Sequence, residues 1–214
     1  MPAPYYGRWN AADMYERRLD GDWPTAADDF VAGDGIAIMK PTSVAATGKR
    51  GLATISELGS VTYWDCVTLS LDGVFSTEYD NYAISFTFLN GNRIFCRLRS
   101  VGIDSTATSD YNDQRLQAQV DSVLASRTTV NGFWIIGQGG GICRDGLNMN
   151  IYGPYLTQPT VFRSIGTIQT SHPGAVIFDM AGTHELSTSY DGLTLYPEAG
   201  AISGMISVYG LEGT

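Results

Sequence analysis

The amino-acid sequence predicts an all-β protein, an antiparallel β-sandwich of the jelly-roll type that a short N-terminal helix and a linker precede. The composition favours strands and turns, because only 16% of the 214 residues are charged while 25 are glycine and 12 are tyrosine. From residue 36 onward, apolar and polar residues alternate with a period of two in about ten short runs, and turn residues separate the runs. We therefore expect an N-terminal docking helix and linker in residues 1–35 and a β-sandwich domain in residues 36–214.

The first predicted element is a helix over residues 11–20. Asn10 is a suitable N-cap, Arg17 and Arg18 lie near the C-terminal end, and Gly21 can end the helix. A helix of about ten residues is not stable alone in water, so it must dock on its own domain, on a sister subunit or on another protein. The acidic, turn-rich segment that follows is typical of a linker. The apolar side chains that we expect to make the docking contact are Trp9, Tyr15, Leu19 and Trp23.

The next strands are predicted by alternation between residues 36 and 100. Two short strands, in residues 36–40 and 53–55, come before a longer run in residues 61–71. That run is predicted as one strand, whose buried face carries Val61, Tyr63, Val67, Leu69 and Leu71. Residues 82–88 alternate in the same way, and the Asn90-Gly91 pair that follows predicts a hairpin. The returning strand places Ile94, Cys96 and Leu98 on one face.

The second half of the chain gives a more mixed pattern. Residues 114–124 alternate weakly and contain Ala, Gln and Leu, which also favour helix; we predict a strand there. Residues 132–137 are apolar throughout and are predicted as a fully buried strand or strand pair. The remaining strands are expected in residues 147–151, 161–168, 176–178, 193–195 and 202–211.

Charge and cysteine content limit the classes of partner. The net charge of −9 disfavours binding to a nucleic-acid backbone, and no run of eighteen apolar residues exists for insertion into a membrane. The first residues lack the basic and apolar regions of a signal peptide. Cys66, Cys96 and Cys143 are widely spaced and odd in number, so we expect buried thiols in a protein made in a reducing cytoplasm.

The sequence does not predict an enzyme. His172 and His184 are the only histidines and stand in no catalytic motif, so we expect surface or hydrogen-bonded core residues. Residues 137–141 are glycine-rich but predict a β-turn or bulge rather than a phosphate loop. We expect no cofactor and no metal, since the acidic cluster of Asp104, Asp110 and Asp113 lacks the order of a calcium loop.

Aromatic and basic residues near the predicted strand ends are the remaining functional signal. Tyrosine and tryptophan among Asn, Asp, Gln and Ser suit stacking on sugar rings and equally suit a protein interface, while core packing explains about half of them. The predicted contacts with a glycan or partner are Trp64, Tyr111, Tyr152, Tyr155 and Tyr190. Arg93, Arg97 and Arg99 either pair with carboxylates across a subunit interface or form a solvated strand face.

Two segments resemble the structural proteins of tailed bacteriophages, particularly minor tail and tail-fibre proteins. The first is residues 71–84, where L-x-x-V-F-S-x-x-Y-D-N-Y runs from Leu71 to Tyr82 after the Ser-, Thr- and Gly-rich residues 40–48 and 53–55. The second is residues 202–211. Such proteins commonly have a basic residue after the last tyrosine of the motif, where this chain has Ala83. The resemblance implies a β-sandwich, usually trimeric, that is displayed on a virion and has no catalytic residues.

The resemblance and the composition together give two functional hypotheses. The first is a tail-tip, minor tail or fibre component, made in the host cytoplasm and located in the virion, that mediates attachment to a host-surface glycan. The alternative is a head-decoration or tail-completion protein that binds only other virion proteins. In both, the partners are other virion proteins, a homotrimer is expected, and the N-terminal helix attaches the β domain to the particle. A glycan-degrading enzyme is disfavoured, because no pair of catalytic acids is evident.

Overall fold

The computed structural model describes residues 36–89, 92–119, 121–136, 144–169 and 175–211, which form sixteen strands and no helix. The all-β class is therefore confirmed, and every strand pair between these residues is antiparallel. The predicted helix, the linker and the docking residues Trp9, Tyr15, Leu19 and Trp23 lie outside the described residues.

Ten strands form the larger of two sheets. Their spatial order is β10-β9-β14-β13-β12-β6-β16-β4-β3, and β1 pairs with the end of β16. The strands are β1 (Ile36–Ile38), β3 (Leu52–Ile55), β4 (Val61–Cys66), β6 (Asn81–Leu89), β9 (Tyr111–Gln119), β10 (Ser122–Val130), β12 (Asp145–Tyr152), β13 (Thr160–Gln169), β14 (Ala175–His184) and β16 (Ile202–Leu211).

Six shorter strands form the second sheet. Their order is β11-β7-β15-β5-β2, with β8 paired to the end of β7. The strands are β2 (Ser43–Thr47), β5 (Thr68–Asp72), β7 (Ile94–Ser100), β8 (Ile103–Asp104), β11 (Phe133–Ile136) and β15 (Gly192–Pro197).

One hydrophobic core draws side chains from both sheets. In β6, the residues at 82, 84, 86 and 88 are buried while their neighbours are exposed or half-buried, as the period-two pattern predicts. The same alternation holds for Ile94, Cys96 and Leu98 of β7 in the second sheet. Phe133 of β11 joins the two sets, since its ring lies 4.2 Å from that of Phe162 in β13. The alternating apolar residues of the sequence thus form a single core.

The predicted single strand over residues 61–71 is wrong, because this run forms two strands in different sheets. β4 belongs to the larger sheet and β5 to the smaller one. Asp65 has a φ of 51°, and the pairing of β4 with β16 shifts register at this point. This irregularity reverses the alternation, so Cys66 is buried and Val67 is exposed, the opposite of the predicted faces. A bulge of this kind is how a strand turns a corner between two sheets.

The ambiguous segment at residues 114–124 spans two strands rather than one. β9 ends at Gln119 and β10 begins at Ser122, and the two pair in unbroken register from Ser122↔Gln119 to Val130↔Tyr111. The sequence reveals no turn here, because neither Gly nor Pro marks the connection. The prediction of strand structure is confirmed, but the sequence does not predict the hairpin that β9 and β10 form.

The motif that carries the resemblance has a structural role in the fold. Val74, Phe75 and Tyr82 are buried, and the rings of Phe75 and Tyr82 meet edge to face at 4.8 Å. The Tyr82 hydroxyl accepts a hydrogen bond from the Ser76 N–H at 2.8 Å and lies 3.0 Å from the Tyr79 carbonyl oxygen. The motif therefore anchors the loop before β6 to the core.

Candidate functional site

The side of the larger sheet that points away from the core, here called the outer face, holds two of the predicted contact residues. Trp64 lies on the outer face in β4, directly opposite Leu52 of the edge strand β3. Their exposed fractions are 58% and 66%, which is unusual for an indole and a leucine in a regular sheet. Met205, opposite Thr62 in the next cross-strand row, is also exposed. We call Leu52, Trp64 and Met205 the Trp64 patch.

Tyr152 is exposed on the same outer face but far from Trp64. It lies opposite Asn81 at one end of β6, whereas the row that contains Trp64 passes through Ser203 to Leu89 at the other end. Eight residues along β6 and three strand spacings separate the two rings by about 30 Å. Trp64 and Tyr152 therefore cannot contact one small ligand together.

Tyr111 and Tyr190 are buried and surround His184. The His184 ring packs edge to face against both tyrosine rings, at 4.4 Å from Tyr111 and 5.1 Å from Tyr190. The Tyr111 hydroxyl donates to the Ser105 carbonyl oxygen and accepts from the Leu98 N–H. Each of these two tyrosines is at most 2% exposed, so neither side chain can contact a partner at the surface.

The contact between His184 and Ser105 resembles part of a catalytic triad but lacks its other parts. The Ser105 hydroxyl lies 3.0 Å from His184 Nε2, while the nearest group to Nδ1 is the Tyr190 hydroxyl at 3.4 Å. No carboxylate among the described residues hydrogen-bonds this ring, and burial lowers the pKa of His184, so the imidazole is held neutral. The arrangement is that of a hydrogen-bonded core histidine, as expected for His184; His172 lies outside the described residues.

Tyr155, the fifth predicted contact residue, is half-buried. Its side chain packs against the core, and its carbonyl oxygen accepts a hydrogen bond from the Ser189 hydroxyl. Of the five residues, Trp64 and Tyr152 are thus exposed, Tyr155 is partly covered, and Tyr111 and Tyr190 are internal. The structure does not bring them together into one site.

Arg97 and Arg99 in β7, and Arg93 immediately before it, make their contacts within the chain. Arg99 donates to Asp72 at 2.8 Å, to Thr194 at 2.8 Å and to Asp104, and its side chain is only 11% exposed. Arg97 lies 4.2 Å over the Tyr196 ring, and Arg93 pairs with Glu198 at 3.2 Å. The Asp72 and Asp104 carboxylates neutralise Arg99 locally, so this network stabilises the smaller sheet.

A polar cluster that sequence reasoning missed lies where the β9–β10 hairpin meets β11. Arg93 and Arg115 both stack over the Trp134 ring, at 4.7 and 4.3 Å from its centroid. Asp113 is 4% exposed, and one of its carboxylate oxygens accepts from the Trp134 N–H at 2.9 Å. Burial raises the pKa of Asp113 to about 7. Its neighbours come from three strands, so no local sequence signal identifies the cluster.

The outer face as a whole is poor in charge and rich in exposed apolar side chains. Among the described residues, three charged side chains lie on this face, and two of them, Arg163 and Asp179, neutralise each other through two hydrogen bonds of 3.0 and 2.7 Å. Arg127 is the third, in a chain whose net charge is −9. The large apolar residues exposed on this face are Ile36, Leu52, Trp64, Leu89, Leu116, Val123, Tyr152, Val161, Ile165, Ile177 and Met205. This composition is typical of a protein interface.

Four of these apolar residues form a contiguous group at one end of the sheet. Ile165, Ile177, Leu116 and Val123 lie on β13, β14, β9 and β10 at diagonal positions of neighbouring strands. Their exposed fractions are 48%, 54%, 49% and 72%. The sequence signal that could have identified this group is a strand with apolar residues at both odd and even positions. Only one face of such a strand can pack against the core, so the other face needs a different partner.

The described residues hold no cluster suited to a metal ion and no helix that could cross a membrane. No three His, Cys, Asp or Glu side chains in the described ranges lie close enough together for metal coordination. The same ranges contain no helix that is long and apolar enough to cross a membrane. Cys66 and Cys96 are free and buried, as predicted, while Cys143 lies outside these ranges.

The sequence matches no protein-family model and no curated protein. Among solved structures, the comparison gives the binding domain of botulinum neurotoxin serotype G, at 10% sequence identity and a TM-score of 0.14. The match covers 86% of this chain and 44% of the other, so the chain spans less than half the length of that structure. A similarity at this level defines neither fold nor function.

Proposed function

We propose that this protein is a structural component of a tailed-bacteriophage virion, located at the tail tip or in a fibre, that attaches the particle to a glycan on the host surface. The resemblance of residues 71–84 and 202–211 supports the virion assignment. The exposed aromatic surface supports an attachment role. The other virion proteins to which the domain is joined are its remaining partners, and the N-terminal segment is the proposed point of attachment to them.

We also propose that the two antiparallel sheets pack face to face as a β-sandwich of the jelly-roll type. The shared core supports this packing, since buried residues of both sheets belong to one hydrophobic cluster. Pairs of strands that are distant in sequence, such as β6 with β16, support the jelly-roll connectivity. A domain of this kind presents a broad, rigid outer surface, which suits an attachment protein.

The single observation that carries the attachment role is the exposed ring of Trp64. The indole of Trp64 is 58% exposed, and the hydrogen-bonded strand that carries it is already ordered before any ligand binds. Its flat face can pack against the C–H groups of a sugar ring. The hydroxyls of Thr54, Thr62 and Ser203 lie on neighbouring strands and supply polar partners for sugar hydroxyls.

The experiment that tests this function is adsorption of particles that carry Trp64→Ala. We expect the adsorption rate constant on the host to fall about tenfold or more, the loss that follows when about 1.4 kcal/mol of stacking is removed. The matched control is Leu58→Ala. Leu58 is 75% exposed at the turn of the same β3–β4 hairpin, away from Trp64, and its replacement should leave adsorption unchanged.

Immunogold electron microscopy on intact particles locates the protein independently. Label at the tail tip agrees with the proposal, and label over the head contradicts it. Normal adsorption of Trp64→Ala particles that contain the usual amount of the protein would also contradict glycan attachment at this patch. An antibody raised against the folded domain that labels no particle would contradict the virion assignment itself.

A specific observation favours the alternative, a head-decoration or tail-completion protein that binds only virion proteins. The outer face has many exposed apolar residues and almost no net charge, as expected for a surface that another protein covers. Under this alternative, Trp64→Ala reduces the amount of the protein in purified particles rather than the adsorption of particles that contain it. The two functions are therefore separated by measuring both quantities on the same preparation.

A further inference from the structure

The long strand β10 forms an open edge of the larger sheet. It is the terminal strand in the sheet order, and in the described part of the chain its only strand partner is β9. Ser122, Val123, Leu124 and Ala125 are all exposed. Every second backbone N–H and C=O group along such an edge points away from the sheet with no partner strand to bond it.

This edge lacks the features that normally prevent strand addition. β10 has nine residues in unbroken register with β9, and it contains no proline, no lysine and no bulge. Arg127 is its one charged residue. The opposite edge strand of the same sheet, β3, has four residues, and the edge strands of the smaller sheet, β11 and β2, have four and five. A regular edge of nine residues is therefore exceptional in this fold.

We propose that β10 pairs in antiparallel orientation with β10 of a second copy of this chain, so that the two larger sheets become one continuous sheet. A two-fold axis through Ser126 pairs all nine residues, from Ser122 opposite Val130 to Val130 opposite Ser122. In this register, even-numbered residues lie opposite even-numbered ones and odd opposite odd. The core side chains of both copies therefore lie on the same face of the continuous sheet. This inference does not depend on the proposed function, and its two-fold dimer replaces the homotrimer that the resemblance implies.

Charge and side-chain chemistry select a second copy and this register. With the axis at Ser126, Arg127 lies opposite Ala125 of the second copy, whereas an axis one residue further would place the two arginines opposite each other. Each copy has a net charge of −9, so two copies must meet where acidic side chains are missing, and β10 has none.

The hydroxyl of Ser126 gives a second, independent reason. Ser126 Oγ is buried and has no hydrogen-bond partner within the chain. In the proposed register it lies opposite Ser126 of the second copy, and opposed serines in antiparallel strands can hydrogen-bond each other. Pairing thus supplies a partner that the isolated chain does not have.

The first test is the oligomeric state of the full chain, followed by a cross-link at the axis. Light scattering at micromolar concentration should give the mass of a dimer. Ser126→Cys should form an intermolecular disulfide under mild oxidation, because opposed Cα atoms in antiparallel strands lie within disulfide range. The control is Ala118→Cys on the exposed face of β9, which should not cross-link, since three strand spacings and six residues along the strands, together about 24 Å, separate the two copies of that position.

The second test uses opposite charges at one position. Ala125→Glu places a carboxylate opposite Arg127 of the second copy, and Ala125→Lys places an ammonium there. We expect the dimer dissociation constant of the lysine variant to exceed that of the glutamate variant by about tenfold, from two pairs per dimer. Ala118→Glu and Ala118→Lys should not differ in this way. Equal constants for the two Ala125 variants would overturn the register, and a monomeric or trimeric wild-type chain would overturn the pairing.

Discussion

At the scale of single residues, Asp113 is the buried acid with the clearest energetic consequence. One carboxylate oxygen accepts from the Trp134 N–H, and the other has no hydrogen-bond partner in the chain. Because burial raises its pKa to about 7, the folded domain holds Asp113 protonated at pH values where the unfolded chain has already released this proton. The free energy of unfolding must therefore depend on pH through this one group.

The sign of that dependence follows from proton binding. Between pH 4 and 7 the folded state binds more protons at this position than the unfolded state, so Asp113 makes the free energy of unfolding fall as pH rises. The total fall is at most about 4 kcal/mol, and it ends above pH 7, where both states are ionised. We expect Asp113→Asn to remove this component, so that the variant gains stability relative to wild type as pH rises from 4 to 7.

Urea unfolding at several pH values measures this difference. The comparison with wild type cancels other titrating groups such as Asp179, whose pKa is lowered by hydrogen bonding to Arg163 and which acts in the opposite direction. As a control, Leu58→Ala changes an exposed side chain that carries no titrating group and should give a pH-independent difference. Parallel stability curves for wild type and Asp113→Asn would show that Asp113 titrates normally in the folded domain.

The fate of individual predicted residues shows what a sequence can tell about a site. Trp64 was singled out because aromatic residues near polar ones suit a contact surface, and Tyr111 and Tyr190 carry the same local signature. The three differ in their contacts: Leu98, Ser105 and His184 supply hydrogen bonds or ring contacts that make burial of the two tyrosines favourable. These contacts form only when separate strands and loops pack together, so the pattern of neighbouring residues cannot distinguish an exposed ring from an internal one.

At the scale of elements, the β7–β8 hairpin holds a residue poorly suited to its backbone. Ser100 pairs with Ile103, which leaves the two-residue loop Val101-Gly102, with φ values of 52° and 77°. Two positive φ values define a type I′ turn, in which asparagine before glycine is preferred. A β-branched valine is strained there, although its N–H donates to the Asp191 carboxylate.

We expect Val101→Asn to stabilise the domain by about 1 kcal/mol, which corresponds to about 2–4 °C in Tm for a domain of this size. Val101 is 84% exposed, so its replacement loses little burial. Differential scanning calorimetry measures the shift. Ile103→Asn is the matched control, because Ile103 is 74% exposed beside the turn but lies in an extended strand, and asparagine should not stabilise it. An unchanged or lower Tm for Val101→Asn would contradict strain at this position.

The corner between β4 and β5 shows why element boundaries were only partly predictable. Apolar and polar residues alternate through residues 61–71, which predicts a single strand, whereas in the structure the buried positions shift from odd to even at Cys66 and back to odd at Leu69. The positive φ of Asp65 is tolerated because aspartate is short and polar, and its carboxylate accepts from the Arg50 N–H at 3.1 Å. A Cβ at Gly48 would collide with the Asp65 carbonyl oxygen, so the corner also requires a glycine seventeen residues earlier.

At the scale of the whole molecule, the shared core predicts that the two sheets unfold together. Phe86 lies in the larger sheet and Leu98 in the smaller one, and both are at most 1% exposed in one cluster. We expect Phe86→Ala and Leu98→Ala each to lower the free energy of unfolding by about 2–5 kcal/mol in a single transition. Leu58→Ala, at an exposed turn, should change it by less than about 0.5 kcal/mol.

Chemical denaturation followed by both fluorescence and circular dichroism measures this cooperativity. Coincident curves are expected for both core variants, because buried residues of both sheets belong to one hydrophobic cluster. Two separated transitions in Leu98→Ala, with the larger sheet unfolding later, would show that the sheets are independent and that the core contacts between them contribute little.

The class and most strands of the molecule could be predicted from sequence, but its sheet order could not. Period-two alternation identified β6, β7, β12 and β16 because each buries one complete face. The partners of these strands depend on contacts across more than a hundred residues, such as β6 with β16, and single-sequence periodicity has no information about them. The same limit applies to the outer face, whose apolar residues become a surface only when the ten strands of the larger sheet are placed side by side.

The position of β16 has a consequence for the order of events during synthesis. Its residues 202–211 are synthesised after all the strands to which they bond, β6 on one side and β4 and β1 on the other. Until they emerge from the ribosome, the nascent chain carries two parts of the larger sheet with no strand to join them, and their unpaired edges are exposed to other chains. The two parts can therefore join only after β16 has been synthesised, and the nascent domain must avoid association with other chains until then.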